Sequence, residues 1–284
     1  MLAFLPIICL SVDSSLESGL KYFLIQGWGS AIFMFTIILR YRLFRVERLI
    51  IAIMVLKLGG APFHGWFVSL LGYIGPKIYL ILATIQKLIP FLIISVTSYR
   101  KYMVFYVVFF SIVIIYINMS FMSIIKILAF SSVNSINWIL IGILTRYGIF
   151  LLFFIIYFVI LLGIVILVRV PGNSIFIGEY NIGGIQKILL LFIFITLGGV
   201  PPFLGFIAKL IVIKASIIWV TKDLLVTILI RSFIILFIYL RYSHTLVSYY
   251  PMYSQIVYSK HIIYYKVIYF MLLHTIWATS LLFI

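Results

Sequence analysis

Negative charge is nearly missing from this chain. Its 284 residues hold five Asp or Glu against 21 Lys or Arg, and a single cysteine. Each scarcity removes a class of chemistry. The carboxylates, Asp13, Glu17, Glu47, Glu179 and Asp223, are expected in or beside loops, so paired-carboxylate catalysis has no support. Cys9 alone cannot build an intrachain disulfide framework or a cysteine metal cluster, and it reads as a small hydrophobe near a helix end. The four histidines, His64, His244, His261 and His274, lack metal-ligand spacing. No phosphate loop, dinucleotide fingerprint or nucleophile elbow occurs. Long polar segments are missing as well, so no soluble domain is expected. A basic n-region and a small-residue cleavage site are also lacking, so no cleavable signal peptide is expected.

What remains is apolar. Hydrophobic residues make up 66% and charged ones 9%, with a mean hydropathy of +1.33, far from the roughly one-quarter charged residues of soluble domains. Stretches near the ~20 residues that cross a bilayer core recur along the chain. They are Gly19–Leu39, Leu49–Ile74, Ile78–Thr97, Met103–Met119, Ser123–Leu144, Ile149–Val168, Ile188–Val220, Leu224–Leu240 and Ile262–Ile284. Their continuous rather than alternating apolarity excludes a barrel and leaves helices, which satisfy their own backbone in lipid. The fold class is all-α: a polytopic membrane protein of about ten helices in one transmembrane domain.

In a soluble protein the net charge of +16 would suggest nucleic acid. Here the basic residues gather beside the spans, as the positive-inside rule expects. The densest cluster is "RYRLFRVER", Arg40 to Arg48, which marks the matrix or cytoplasmic side and a place for anionic lipid. No nucleic-acid partner is expected.

Charges inside spans carry more information. Lys87 lies within "LILATIQKLIPFLII", Lys57 closes "IAIMVLK", and Lys209 sits in "FIAKLIVIK". Lys126, in "SIIKILAFSS", lies nearer a span end, where a lysine can snorkel to the interface. An ionisable group at membrane depth costs at least ~2.5–3.5 kcal/mol and therefore needs a reason. Two of these lysines adjoin interruptions, "KLGGAPFHGW" (Lys57 to Trp66) and "LGGVPPFLGF" (Leu197 to Phe206). Gly59, Gly60 and Pro62 in the first, and Gly198, Gly199, Pro201 and Pro202 in the second, break helical geometry by removing donors and admitting unusual backbone angles. Such breaks survive at membrane depth only where they are buried in protein or line a watery cavity, and paired breaks mark ion sites in repeat-built transporters. Burial disfavours an ammonium's charge, so a buried lysine can release and regain a proton. Proton relay through Lys57, Lys87 and Lys209, with Lys126 and His64 as additional candidates, is the chemistry these residues allow. Thr84, Ser131, Ser132 and Asn134 are the polar groups expected to link them. Lys87, between Thr84 and Pro90, falls in a locally weakened turn.

These stretches also resemble a known family. "ESGLKYFLIQ", "KLGGAPFHGWF", "LATIQKLIP", "KILAFSSVNSINW" and "LGGVPPFLGFIAK" are similar, in order, to the signature stretches of subunit 2 of NADH:ubiquinone oxidoreductase (complex I), from Met1 nearly to Arg241. The resemblance implies an antiporter-like subunit with two inverted repeats, each holding one broken helix. The first would span about 1–97, the second about 103–240, and a final helix about 262–284. It implies proton translocation across the mitochondrial inner membrane, coupled to electron transfer from NADH to ubiquinone. No cofactor is expected on this chain; NADH, FMN, iron–sulfur clusters and ubiquinone would act elsewhere in the complex. The implied partners are other membrane-arm and accessory subunits and lipids, cardiolipin among them.

Departures from the family pattern sharpen the expectations. A family glutamate precedes the "MLAF"-like stretch, whereas this sequence opens at Met1-Leu2-Ala3-Phe4. Either the start is misassigned or the first repeat is truncated at its N-terminus, and in the second case Lys57 would lack its expected carboxylate. Ser135 stands where relatives often carry histidine, and Gly60 where they carry a larger apolar residue. Phe, Ile and Tyr richness points to an invertebrate mitochondrial genome. Alternative readings of the same residues are a non-pumping scaffold subunit of the same arm and a subunit of a related multi-subunit cation/proton antiporter.

Overall fold

Apolar runs of this length leave helix as the way to satisfy the backbone, and among the described residues every regular element is a helix. The computed structural model describes residues 14–40, 46–60, 62–71, 76–96, 124–168, 184–201, 203–219 and 222–248. The spans expected at 103–119 and 262–284 lie outside the described residues.

Helix α1 (Ser14–Arg40) starts with Glu17 in its first turn, where a carboxylate meets the positive end of the helix. Lys21 pairs with it at 2.6 Å, and that hydrogen bond holds the Glu17 carboxyl below its usual range. α2 (Val46–Leu58) and α3 (Gly65–Leu71) follow as two halves around the first interruption, and α4 (Pro76–Ala83) and α5 (Ile85–Val96) meet at Thr84. α6 (Ile124–Thr145) and α7 (Tyr147–Val168) are joined by a tight turn at the exposed Arg146. α8 (Gly184–Gly198) and α9 (Leu204–Trp219) flank the second interruption, and α10 (Lys222–Ser248) closes the described chain.

Two local features weaken the helix around the α4–α5 junction. Thr84 Oγ1 donates to the Leu80 carbonyl at 2.6 Å, and Pro90 inside α5 cannot donate to the carbonyl four residues earlier. The weakness expected around Lys87 is realised at Thr84, which is a turn rather than helix.

α6 is the centre of the bundle and α1 its edge. In Ile127–Thr145, 94% of the apolar window is buried; in Gly19–Leu39 the figure is 17%. α6 packs against α3, α5, α7 and α9, while α1 lies on α2 and α3, and α10 on α8 and α9. The outer face of α1 presents Trp28, Met34, Phe35 and Ile38, as a lipid-facing helix should. Inside, Phe91 of α5 meets Phe150 and Phe154 of α7 at 6.1 and 6.3 Å between rings. Trp138 of α6 stacks on Phe153 at 6.5 Å. Close packing of this kind, rather than a hydrophobic drive, holds helices together in lipid.

Candidate functional site

Both interruptions end their first half-helix in the same way. Gly59 follows α2 at φ 67° and Gly199 follows α8 at φ 77°, the left-handed region that glycine enters without a Cβ penalty. At the first, the Gly59 amide donates to the Leu56 carbonyl at 3.1 Å and the Gly60 amide to Val55 at 2.9 Å. At the second, Gly199 donates to Thr196 at 3.2 Å and Val200 to Ile195 at 3.4 Å. These are two Schellman caps in equivalent register. Gly198, expected among the hinge residues, is instead the last helical residue of α8. Pro62 and Pro201 lie exposed in the turns, and Pro202 lies outside the described residues. Past the second break α9 returns so close to α8 that a Cβ on Gly205 would run into the Thr196 carbonyl oxygen.

Of the lysines singled out by their position in spans, two are buried on either side of α6. Lys87 of α5 is 3% exposed and Lys209 of α9 is 9% exposed. The Lys87 ammonium lies 3.4 Å from the Ser132 carbonyl oxygen and 4.8 Å from the ring centre of Phe67. Lys209 Nζ donates to the Gly198 carbonyl at 2.6 Å and to Leu197 at 3.3 Å, and it lies 5.9 Å from the Trp138 ring. Partial negative charge on helix-end carbonyls suits an ammonium there.

Lys57 stands apart from this pair. It is half-buried in the last turn of α2, with Nζ 5.6 Å from the ring of Phe33 on α1 and its stem against Gly29. His64 lies in the first break, half-buried, its ring 5.8 Å from Phe130. Its carbonyl accepts the amides of Phe67 and Val68, and its Nδ1 has no hydrogen-bond partner among the described residues. The Lys126 side chain lies outside the described residues.

Between Lys87 and Lys209 runs a polar strip on α6. Ser131, Ser132, Asn134, Ser135 and Asn137 are all buried, as is Thr84 on the neighbouring segment. A cavity of about 30 Å³ lies beside the strip, lined by Ser131, Asn134, Ser135, Tyr157, Lys209 and Tyr239, among others. A buried water needs ~10–15 Å³ and polar partners, so the space suits one or two. Asn134 Oδ1 and the Tyr157 hydroxyl find no hydrogen-bond partner among the described residues and face this space.

One charged residue escaped the reading of the sequence. Arg231 of α10 is 2% exposed, its Nε and Nη2 have no hydrogen-bond partner among the described residues, and its charge reaches Lys209. The signal was present: an arginine in "LLVTILIRSFIILFIYL" meets the same criterion that singled out Lys87. Tyr157 and Tyr239 carried no comparable signal, because buried tyrosines are ordinary in apolar helices.

No family model matches the chain. NADH-ubiquinone oxidoreductase chain 2 of Anopheles gambiae is 30% identical over 260 residues, covering 87% of this chain and 76% of that protein. The same chain from Artemia franciscana is 32% identical over 218 residues, covering 76% and 70%. The protein belongs to the NADH-ubiquinone oxidoreductase chain 2 family. Solved structures place its fold. A chain of respiratory complex I from Thermus thermophilus superposes with a TM-score of 0.77 at 18% identity, over 97% of this chain and 70% of that one. A chain of the Mrp complex from a Dietzia species gives 0.69 at 19% identity, over 84% and 52%. The helical architecture of this chain is thus shared by chains of both assemblies.

Proposed function

We propose that this chain is a membrane-arm subunit of the proton-translocating NADH:ubiquinone reductase and that it carries protons across the mitochondrial inner membrane. The observation that carries this reading is the pair of buried lysines, Lys87 and Lys209, on either side of the polar strip of α6. Two buried ammonium groups with hydroxyl, amide and carbonyl oxygens between them have the composition of a proton path. Lys57, at the first break and turned toward α1, serves the first half of that path; Lys87 passes the proton across the middle; Lys209 serves the second half. The matching Schellman caps at Gly59 and Gly199 support two structural repeats related to one another.

Redox chemistry lies outside this reading of the chain. Among the described residues no group of three or more His, Cys, Asp or Glu is gathered. NADH, flavin, iron–sulfur clusters and quinone belong to other subunits of the complex. Partners are the neighbouring membrane-arm and accessory subunits, with anionic lipid such as cardiolipin near Arg40–Arg48.

The test is Lys87→Met in the assembled complex, which keeps the stem and removes the titrating group. Protons pumped per electron should fall while the subunit remains in the complex, and Lys87→Arg should also impair transfer because a guanidinium stays charged. Unchanged stoichiometry in Lys87→Met would overturn the relay role.

A further inference from the structure

A helix that stops inside protein leaves carbonyl oxygens turned out of its ladder, and the two breaks satisfy theirs with different chemistry. At the end of α2 the extra donors are neutral. Trp66 Nε1 donates to the Leu56 carbonyl at 3.1 Å, and Gln26 Nε2 of α1 donates to the Lys57 carbonyl at 3.1 Å. Tyr22, one turn before Gln26, donates to Gln86 Oε1 at 3.2 Å, and its ring lies 6.1 Å from that of Trp66. Neither an indole nor a carboxamide changes charge. At the end of α8 the donor is the Lys209 ammonium, 2.6 Å from Gly198 and 3.3 Å from Leu197. A Cβ on Gly199 would come within 2.8 Å of the same Nζ.

We propose that the two breaks differ in kind: Gln26 and Trp66 are positioning residues that hold the first closed whatever the charge on Lys57, whereas Lys209 is itself the clamp of the second and loosens it on giving up its proton. The proposal rests on the functional reading above, in which Lys209 exchanges a proton. An ammonium holds a helix C-terminus by charge-assisted hydrogen bonds and by attraction to its partial negative charge; a neutral amine keeps only a weak donor. The capping geometry already differs, since the outer Schellman bond is 3.4 Å at Val200 and 2.9 Å at Gly60.

The groups around Lys209 leave its own proton as the variable. α10 contributes Arg231 and Tyr239, and α7 contributes Tyr157. α6 and α8 bring neutral groups such as Asn134 and Thr196 to the same cavity. A guanidinium keeps its charge across the working range. The sign follows: the clamp is present while Lys209 is protonated, at lower pH, and is lost as pH rises and the amine becomes neutral. Opening of the second break therefore coincides with discharge of its lysine, and the first break has no such coupling.

Amide hydrogen exchange on the intact complex in lipid nanodiscs tests this, comparing the segments 55–65 and 195–205 at mildly acidic and at alkaline pH. Rates are corrected by those of an unstructured reference peptide. Protection at 195–205 should fall by a further ~5- to 30-fold at alkaline pH, with 55–65 unchanged. In Lys209→Arg the pH response at 195–205 should vanish. Gln26→Leu should open 55–65 equally at both pH values. An equal response at both breaks, or no response at 195–205, overturns the proposal, as does a response that persists in Lys209→Arg. If Lys209→Arg does not assemble, the unmodified complex decides alone. Normal pumping in Lys87→Met would count against the functional reading only, because the exchange contrast does not depend on Lys87.

Discussion

The Lys87 ammonium faces the ring of Phe67 at 4.8 Å from its centre, and Phe67 belongs to the half-helix that follows the first break. The same phenylalanine is where a Cβ on Gly59 would land, 2.9 Å from the Phe67 Cβ. One aromatic side chain therefore lies between the turn at Gly59 and the central lysine. At the second break no intermediary is needed, because Gly199 borders Lys209 directly.

Replacing Phe67 by Leu keeps an apolar side chain and removes the ring face. A cation–π contact of this kind is worth about 0.5–2 kcal/mol, so coupled turnover should fall by about 2- to 30-fold. Assembly should be little changed. Proton pumping and NADH oxidation by the intact complex, read together, check this; unchanged turnover would mean that the ring does not act on Lys87.

Alanine at Gly59 and at Gly199 should fail differently. Both positions carry positive φ, which costs about 1–2 kcal/mol for a residue with a Cβ. At Gly59 the obstructing atom is the Phe67 Cβ, which is fixed to its backbone, so the subunit should incorporate poorly. At Gly199 the obstruction is the flexible end of Lys209, which can swing away. Incorporation should then survive while pumping drops. Quantifying the subunit in purified complex against its proton stoichiometry separates the two.

Gly205→Ala should be the most damaging of the glycine substitutions. Its Cβ meets the Thr196 backbone oxygen, which no side-chain rotation relieves, so α8 and α9 must separate. Overpacking typically costs 1–3 kcal/mol, and about the upper end applies here. Loss of assembled complex on native gels is the expected result.

Arg231→Met should leave the complex as stable as before, or more so. An apolar replacement of a buried charge lacking full hydrogen bonding is neutral to stabilising, by about 1–4 kcal/mol. The half-life of NADH oxidation at elevated temperature measures it. A large loss of thermal stability would mean that Arg231 has a partner beyond the described residues.

Legibility in the sequence followed locality. The breaks were readable because glycine and proline interrupt apolar runs where a helix needs neither, and the span lysines because charge in such runs is costly. The buried strip on α6 was partly visible in "FSSVNSIN". The cap donors were not. Gln26 reaches Lys57 across 31 residues, and a hydrogen bond between distant segments leaves no spacing to read. Thr84 was legible as a weakness beside Lys87, but its becoming the junction of α4 and α5 depends on what the neighbouring helices allow. Arg231 obeyed a rule already in use and was passed over because its run reads as an ordinary span.

The hydroxyls of α6 have a consequence in their orientation. Ser131, Ser132 and Ser135 stand 2.7, 2.6 and 2.7 Å from the carbonyls of Leu128, Ala129 and Ser132. Carbonyls only accept, so each hydroxyl commits its hydrogen to its own helix. What these three serines turn outward is lone pairs. The surface between Lys87 and Lys209 therefore offers acceptors at its serines and both donors and acceptors at its asparagines, without a formal charge on any of these side chains. Such a surface can solvate an excess proton or an ammonium, and it cannot be switched off by titration.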